Sequence, residues 1–131
     1  VLPGHAYQAY QQSRGVPTLR REDLIKGGMW FLGSHDIPKI QDECLDIVVN
    51  IASFQEMTSA QVAKYFGIMD RKIVRGGGIY LKELWFGKTH GHHQGEIGGY
   101  EDYPFPKNWE EIFLRSVCWS RDFFETGLCI R

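Results

Sequence analysis

The stretch that most constrains the fold is residues 58–75. Thr58 with Gln61 three positions on is a capping-box pattern, in which each side chain satisfies a backbone N–H that the first helical turn leaves free. Val62, Ala63 and Phe66 fall on one helical face, and Ala63 is small where a second helix crosses closely. Gly67 is able to take the positive φ that ends a helix. Asp70 then serves as cap for a second helix, with Ile73 and Val74 turned inward and Arg71, Lys72 and Arg75 left outside. The stretch reads as two short helices around a tight corner at Gly67, a helix-turn-helix. An αα-corner inside a core is the plainer alternative. Gly76, Gly77 and Gly78 follow directly, and each glycine costs a helix about 1 kcal/mol relative to alanine. The second helix is therefore short or broken.

A chain of 131 residues with 43% apolar and 14% aromatic content is expected to form one domain around a real core, not a disordered segment. No apolar run approaches the roughly 20 residues that a membrane-spanning helix needs. No signal peptide is read, since no charged segment leads into an apolar run. Cys44, Cys118 and Cys129 are odd in number and form no Cys-x-x-Cys, which argues against a disulfide framework or a thiolate zinc site. Buried thiols in an intracellular, reducing compartment (nucleus, cytoplasm or organelle interior) are the expectation.

Net charge is −1, a poor overall signature for nucleic-acid binding. Its distribution says more. Residues 61–93 carry six basic and two acidic side chains, a local balance of +4, while residues 96–131 carry four basic and seven acidic, a balance of −3. A basic middle of this kind suits phosphate or an acidic protein surface.

Residues 1–17 lack any regular period and read as an extended arm, with residues 18–131 as the single domain. Residues 18–26 form a short helix capped by Thr18 and stopped by Gly27-Gly28. The strongest helical pattern covers 36–54: Asp36 as cap, Pro38 in the first turn, then Ile40, Cys44, Ile47, Val48, Ile51 and Phe54 at helical spacing. Residues 79–86 are β-rich in composition, although Leu81, Leu84 and Trp85 also fit a third helix. The glycine- and histidine-rich 87–99 is a loop, and 100–105 returns as a second strand, completing a hairpin. Residues 106–126 close the chain as a helix, with Asn108 and Glu111 repeating the cap pattern, a stripe of Trp109, Ile112, Phe113, Val117, Ser120 and Phe124, and Gly127 as the stop. Trp119 and Phe123 lie beyond that stripe and suit packing on the arm or on another subunit.

A core helix, a helix-turn-helix, a β-hairpin and a closing helix, in that order, resemble the winged-helix family. The segment Asp70-Arg71-Lys72-Ile73-Val74-Arg75 after Val62-Ala63-Lys64-Tyr65-Phe66-Gly67 is distantly similar to the winged helix of the transcription factor IIE alpha subunit. The glycine run at 76–78 departs from that pattern, and no zinc ribbon follows. The resemblance implies a mainly helical α+β domain and a non-enzymatic module in a transcription-type assembly, contacting DNA or a partner protein. It implies that Lys64, Arg71, Lys72, Arg75 and Lys88 meet phosphate or an acidic surface, with His90, His92 and His93 at the wing tip. Two other readings come from the residues themselves. Eighteen aromatic side chains suit a structural subunit of a larger assembly. His90, His92, His93 and Glu96 in seven residues suit a Zn site, and hence a metal-dependent hydrolase or nuclease, although no later helix supplies a further histidine. No phosphate-cradling glycine motif and no nucleophile elbow is present.

Overall fold

β-Branched residues are stiff at χ1 and pack well on a pleated surface. The run Ile47-Val48-Val49 accordingly forms the centre of strand β1, Leu45–Ile51. The computed structural model describes residues 18–27, 32–84, 97, 99–118 and 120–131. After β1 come a 3-10 turn, Phe54–Glu56, and helix α2, Ser59–Lys72. Strand β2, Ile73–Leu84, follows and pairs in parallel with β1. Strands β3, Trp109–Val117, and β4, Ser120–Ile130, form an antiparallel hairpin. Strand β4 also pairs antiparallel with β2, so the sheet order is β1-β2-β4-β3. A shorter helix, α1 (Arg21–Gly27), precedes these elements.

Helix α2 covers one face of the sheet. Val62 and Phe66 are buried against Ile79, Leu81, Phe124, Leu128 and Ile130, which alternate along β2 and β4 as a one-sided strand requires. Phe66 is the hub of that core: it meets Phe54 edge-on at 5.4 Å, stacks on Phe105 at 5.3 Å and lies 5.0 Å from Trp109 between ring centroids. A smaller cluster of Leu19, Ile40 and Cys44 joins α1 to the sheet. Arg21 secures it, with Nη2 on Asp46 Oδ1 at 2.7 Å and Nη1 on the Cys44 carbonyl at 3.1 Å. The opposite face of β1 is uncovered among the described residues: Ile47, Val49 and Ile51 are 63%, 56% and 56% exposed.

This architecture overturns the mainly helical winged-helix expectation. The 58–75 stretch holds no corner. The capping box forms as expected, with Gln61 N–H donating to Thr58 Oγ1 at 3.3 Å and Thr58 N–H to Gln61 Oε1 at 2.8 Å. The helix then runs unbroken through Gly67, whose φ is not positive and where nothing lies within 4 Å of an added Cβ. One interior glycine costs about 1 kcal/mol, less than burying Val62 and Phe66 returns. Ala63, expected at a helix crossing, is exposed. The glycine run does its work inside β2 instead. Gly76 takes φ +79°, and a Cβ on Gly77 would meet the Val74 and Asp46 carbonyl oxygens at 2.8 and 2.9 Å. Here β2 bulges: a step of two residues on β1, from Leu45 to Ile47, spans five on β2, from Ile73 to Gly78.

The expected 36–54 helix is a 3-10 turn, Ile37–Lys39, followed by β1. Helical spacing and strand composition coexist in that stretch, and the parallel ladder to β2 decides between them. Of the two readings of 79–86, the strand is realised over the part that β2 covers. Residues 100–105 hold a 3-10 turn, Tyr100–Asp102, in place of a returning strand. The expected closing helix is the β3–β4 hairpin. Its signal was the alternation Phe124, Thr126, Leu128, Ile130, all buried, which passes through Gly127 without stopping. The Phe113 ring occupies the space that a side chain at 127 would fill. The 18–26 helix is found, beginning at Arg21.

Asp70 caps no second helix. It sits in the last turn of α2, where Oδ1 accepts Asn108 Nδ2 at 2.7 Å and the Trp109 indole N–H at 2.9 Å, tying the helix end to the start of β3. Burial pushes its carboxyl up, but those two hydrogen bonds and the charges of Arg75 and Arg71 outweigh this and hold it below the usual aspartate value.

Three variants check this fold. In urea denaturation, Gly67→Ala stabilises the protein by about 1 kcal/mol if α2 is continuous, whereas a corner at Gly67 would make it destabilising. Gly77→Ala costs about 1–3 kcal/mol, because the added Cβ would meet the buried Ile73 side chain and two backbone carbonyl oxygens. For Asp70, a depressed folded pKa stabilises above the unfolded value of about 3.9 and loses that contribution as pH falls through the folded value. The stability advantage of the native protein over Asp70→Asn is therefore constant above about pH 5 and narrows on acidification. An advantage that widens in acid would contradict the assignment.

Candidate functional site

Strands that run in parallel deliver their carboxyl ends, and the loops that leave them, to one rim of the sheet, where open α/β folds form their crevice. In this protein those ends are Ile51 on β1 and Leu84 on β2. The chain leaves β1 through Ala52, whose φ of +53° is uncommon for a residue with a Cβ and is held by its N–H donating to the Lys82 carbonyl at 2.8 Å. That bend aims the next three backbone N–H groups at one carboxylate. Ser53 and Phe54 N–H donate to Glu83 Oε1 at 3.3 and 3.4 Å, and Gln55 N–H donates to Oε2 at 3.3 Å. Glu83 is fully buried, at 0% exposure. Burial pushes its carboxyl above the usual glutamate value, opposed by the three N–H donors from Ser53, Gln55 and Phe54.

The remaining bonds knit the rim. Leu84 N–H donates to Gln55 Oε1 at 3.3 Å, joining the end of β2 to the turn after β1. Ser53 Oγ donates to Asn50 Oδ1 at 2.8 Å. Beneath lies Tyr103, buried, with its ring 5.6 Å from Phe105 and 5.8 Å from Phe124. Its phenol is pushed well above the tyrosine range by burial and by the charge of Glu83, and its hydroxyl has no hydrogen-bond partner among the described residues. Both oxygens of Glu83 accept from backbone, so it pins the rim. The polar side chains that line this rim are Asn50, Ser53 and Gln55, half-buried, and the exposed Glu56, which accepts from Gln55 Nε2 at 3.5 Å.

The basic patch expected to meet DNA or an acidic partner is not assembled. Lys72 is buried, its Nζ on Asp42 Oδ1 at 2.6 Å and on the Pro38 carbonyl at 3.4 Å. Arg75 donates to the Arg131 carbonyl at 2.8 Å and lies 3.9 Å from Glu43. Arg71 is exposed in the last turn of α2, and Lys64 is exposed about two turns away. Lys88, His90, His92 and His93, with the Zn site they suggested, lie outside the described residues. Among the described residues no three His, Cys, Asp or Glu are grouped to hold a metal. All three cysteines are free, with Cys44 buried, Cys129 half-buried and Cys118 exposed. The rim itself was missed. Its signal is the alternation Ile79, Leu81, Glu83, which turns a carboxylate into the core and so demands donors there.

No family profile matches the chain, and no curated protein matches it in sequence. Solved structures do match. The PH0226 protein from Pyrococcus horikoshii OT3 superposes with a TM-score of 0.63 at 11% identity, covering 85% of this chain and 65% of that one. A "putative type 11 methyltransferase" from Sulfolobus solfataricus superposes with a TM-score of 0.60 at 16% identity, covering 85% of this chain and 64% of that one. The chain spans a little under two thirds of the length of either. At these identities the likeness is one of fold, a sheet of α/β type and not a winged helix.

Proposed function

We propose that this chain supplies the acceptor side of a methyl-transferring enzyme. The observation that carries the reading is the turn at residues 52–56, pinned by buried Glu83 at the carboxyl ends of the parallel pair. It lies within a sheet whose fold is shared with a protein named as a methyltransferase. Transfer of a methyl group demands a nucleophile held in line with the donor, and holding is what a rigid rim contributes. Ser53, Asn50 and Gln55 suit a small neutral or polar acceptor, and Glu56 is the exposed carboxylate beside them.

The donor is a separate matter. A nucleoside-bearing methyl donor of the S-adenosylmethionine type is held in such folds by a close backbone turn between a strand and a helix, which glycine permits. The described strand-to-helix junction, from Ile51 to Ser59, contains no glycine and is filled by its own hydrogen bonds to Glu83. The described residues therefore do not fit the donor. Among the described residues no helix is long and apolar enough to cross a membrane. The free thiols, one of them exposed, support a reducing surrounding.

The test uses the full-length protein, methyl-labelled S-adenosylmethionine and a panel of small hydroxyl and amine acceptors. Labelled product is expected. Ser53→Ala and Gln55→Ala are each expected to lower kcat/KM about tenfold, the effect of one lost hydrogen bond in the transition state. Glu83→Met strands three backbone donors and lowers stability by about 3 kcal/mol. Absence of labelled product, together with absence of any binding heat for S-adenosylhomocysteine, overturns the reading.

A further inference from the structure

A cavity lies away from the rim, between residues 33–40 and helix α2. It has a volume of about 340 Å³ and is lined by Ser34, His35, Pro38, Gln61, Lys64, Tyr65 and Ile68. That is within the size range of small-molecule sites. Its polar side chains are all potential donors, and no carboxylate lines it. The Gln61 carbonyl oxygen is already occupied by the Thr58 N–H and hydroxyl of the capping box, which leaves its amide N–H₂ for a ligand. Lys64 has no ion-pair partner among the described residues. The other lysines of this neighbourhood are taken: Lys39 holds Asp36 at 2.7 Å, and Lys72 holds Asp42 at 2.6 Å. Asp36, the carboxylate beside His35, is itself buried and engaged by Lys39, by the Gly33 N–H at 3.3 Å and by His35 Nε2 at 3.3 Å.

We infer that this cleft binds a small phosphate monoester. Donors on two separate elements, Ser34 on the turn and Gln61, Lys64 and Tyr65 on the helix, line the cleft from two sides. A tetrahedral phosphate, with three terminal oxygens, satisfies such a set better than a planar carboxylate does. Pro38, Ile68 and the Tyr65 ring supply an apolar wall for the body of the molecule. Lys64 gives the point charge that a phosphate accepts. The inference concerns binding alone and is independent of methyl transfer.

The full-length protein is titrated with phenyl phosphate, benzoate and benzyl alcohol, followed by amide chemical shifts and calorimetry. Phenyl phosphate is expected to bind saturably, with shifts centred on Ser34, His35, Gln61 and Lys64. Inorganic phosphate competes with it, added salt weakens it, and benzyl alcohol gives no saturable shift. Exposed Lys64 tolerates replacement, so Lys64→Gln is expected to keep the native melting temperature and to bind phenyl phosphate at least tenfold more weakly. No saturable shift, or an unchanged Kd in Lys64→Gln, overturns the site. Benzoate binding as tightly as phenyl phosphate overturns the assignment to phosphate.

Discussion

The parallel pairing of β1 with β2 is the constraint on which the rest of the structure depends. Two parallel neighbours cannot be joined by a tight turn; the chain has to travel back along the whole strand before it pairs again. Helix α2 makes that journey, and making it lays Val62 and Phe66 on the sheet. Once Phe66 is placed, Phe54, Phe105 and Trp109 have a common neighbour, and the core closes around it. The bulge at Gly76 and Gly77 lets β2 leave the helix and still reach register with β1 from Gly78 onward. The β3–β4 hairpin then adds to the free side of β2 through local antiparallel pairing.

The same pairing creates the rim. Parallel strands end at the same edge, so the turn after β1 and the last residues of β2 are neighbours by construction. A carboxylate buried at that edge would be costly by itself. Here three backbone N–H groups converge on it, and the burden of unsatisfied groups is lifted from both sides at once. The result is a turn with little freedom in a place where loops are usually mobile. Rigidity of that kind suits the positioning of neighbouring groups.

What the sequence shows about this fold depends on range. The capping box at Thr58 and Gln61 and the short helix before Gly27 are governed by neighbours a few positions apart, and both are legible. The interior of α2 is not, because Gly67 looks like a stop until the burial of Phe66 is known. Residues 45–51 fit two periods at once, and a partner 28 or more positions away chooses between them. The hairpin was hidden in the same way: Gly127 reads as an ending until Phe113 is seen to fill its space. A two-helix reading of 58–75 makes a core helix before it and a hairpin after it the natural context, so one local ambiguity spreads along the chain. Of the site, only Glu83 left a trace, as a charged residue in phase with Ile79 and Leu81.

The open margin of β1 has a consequence for how this molecule coexists with its own copies. Among the described residues no strand pairs on the outer side of β1, and an edge that displays Ile47, Val49 and Ile51 is a template onto which a foreign strand is able to add. Its flat portion is bracketed. At one end the Asp46 carboxylate, gripped by Arg21, places charge where a new strand would start. At the other, the left-handed backbone of Ala52 turns the chain out of plane. Five residues remain between those stops, shorter than the six or seven that stacked fibril cores use. The kink that aims the turn at Glu83 thus also limits growth of the sheet at its β1 edge.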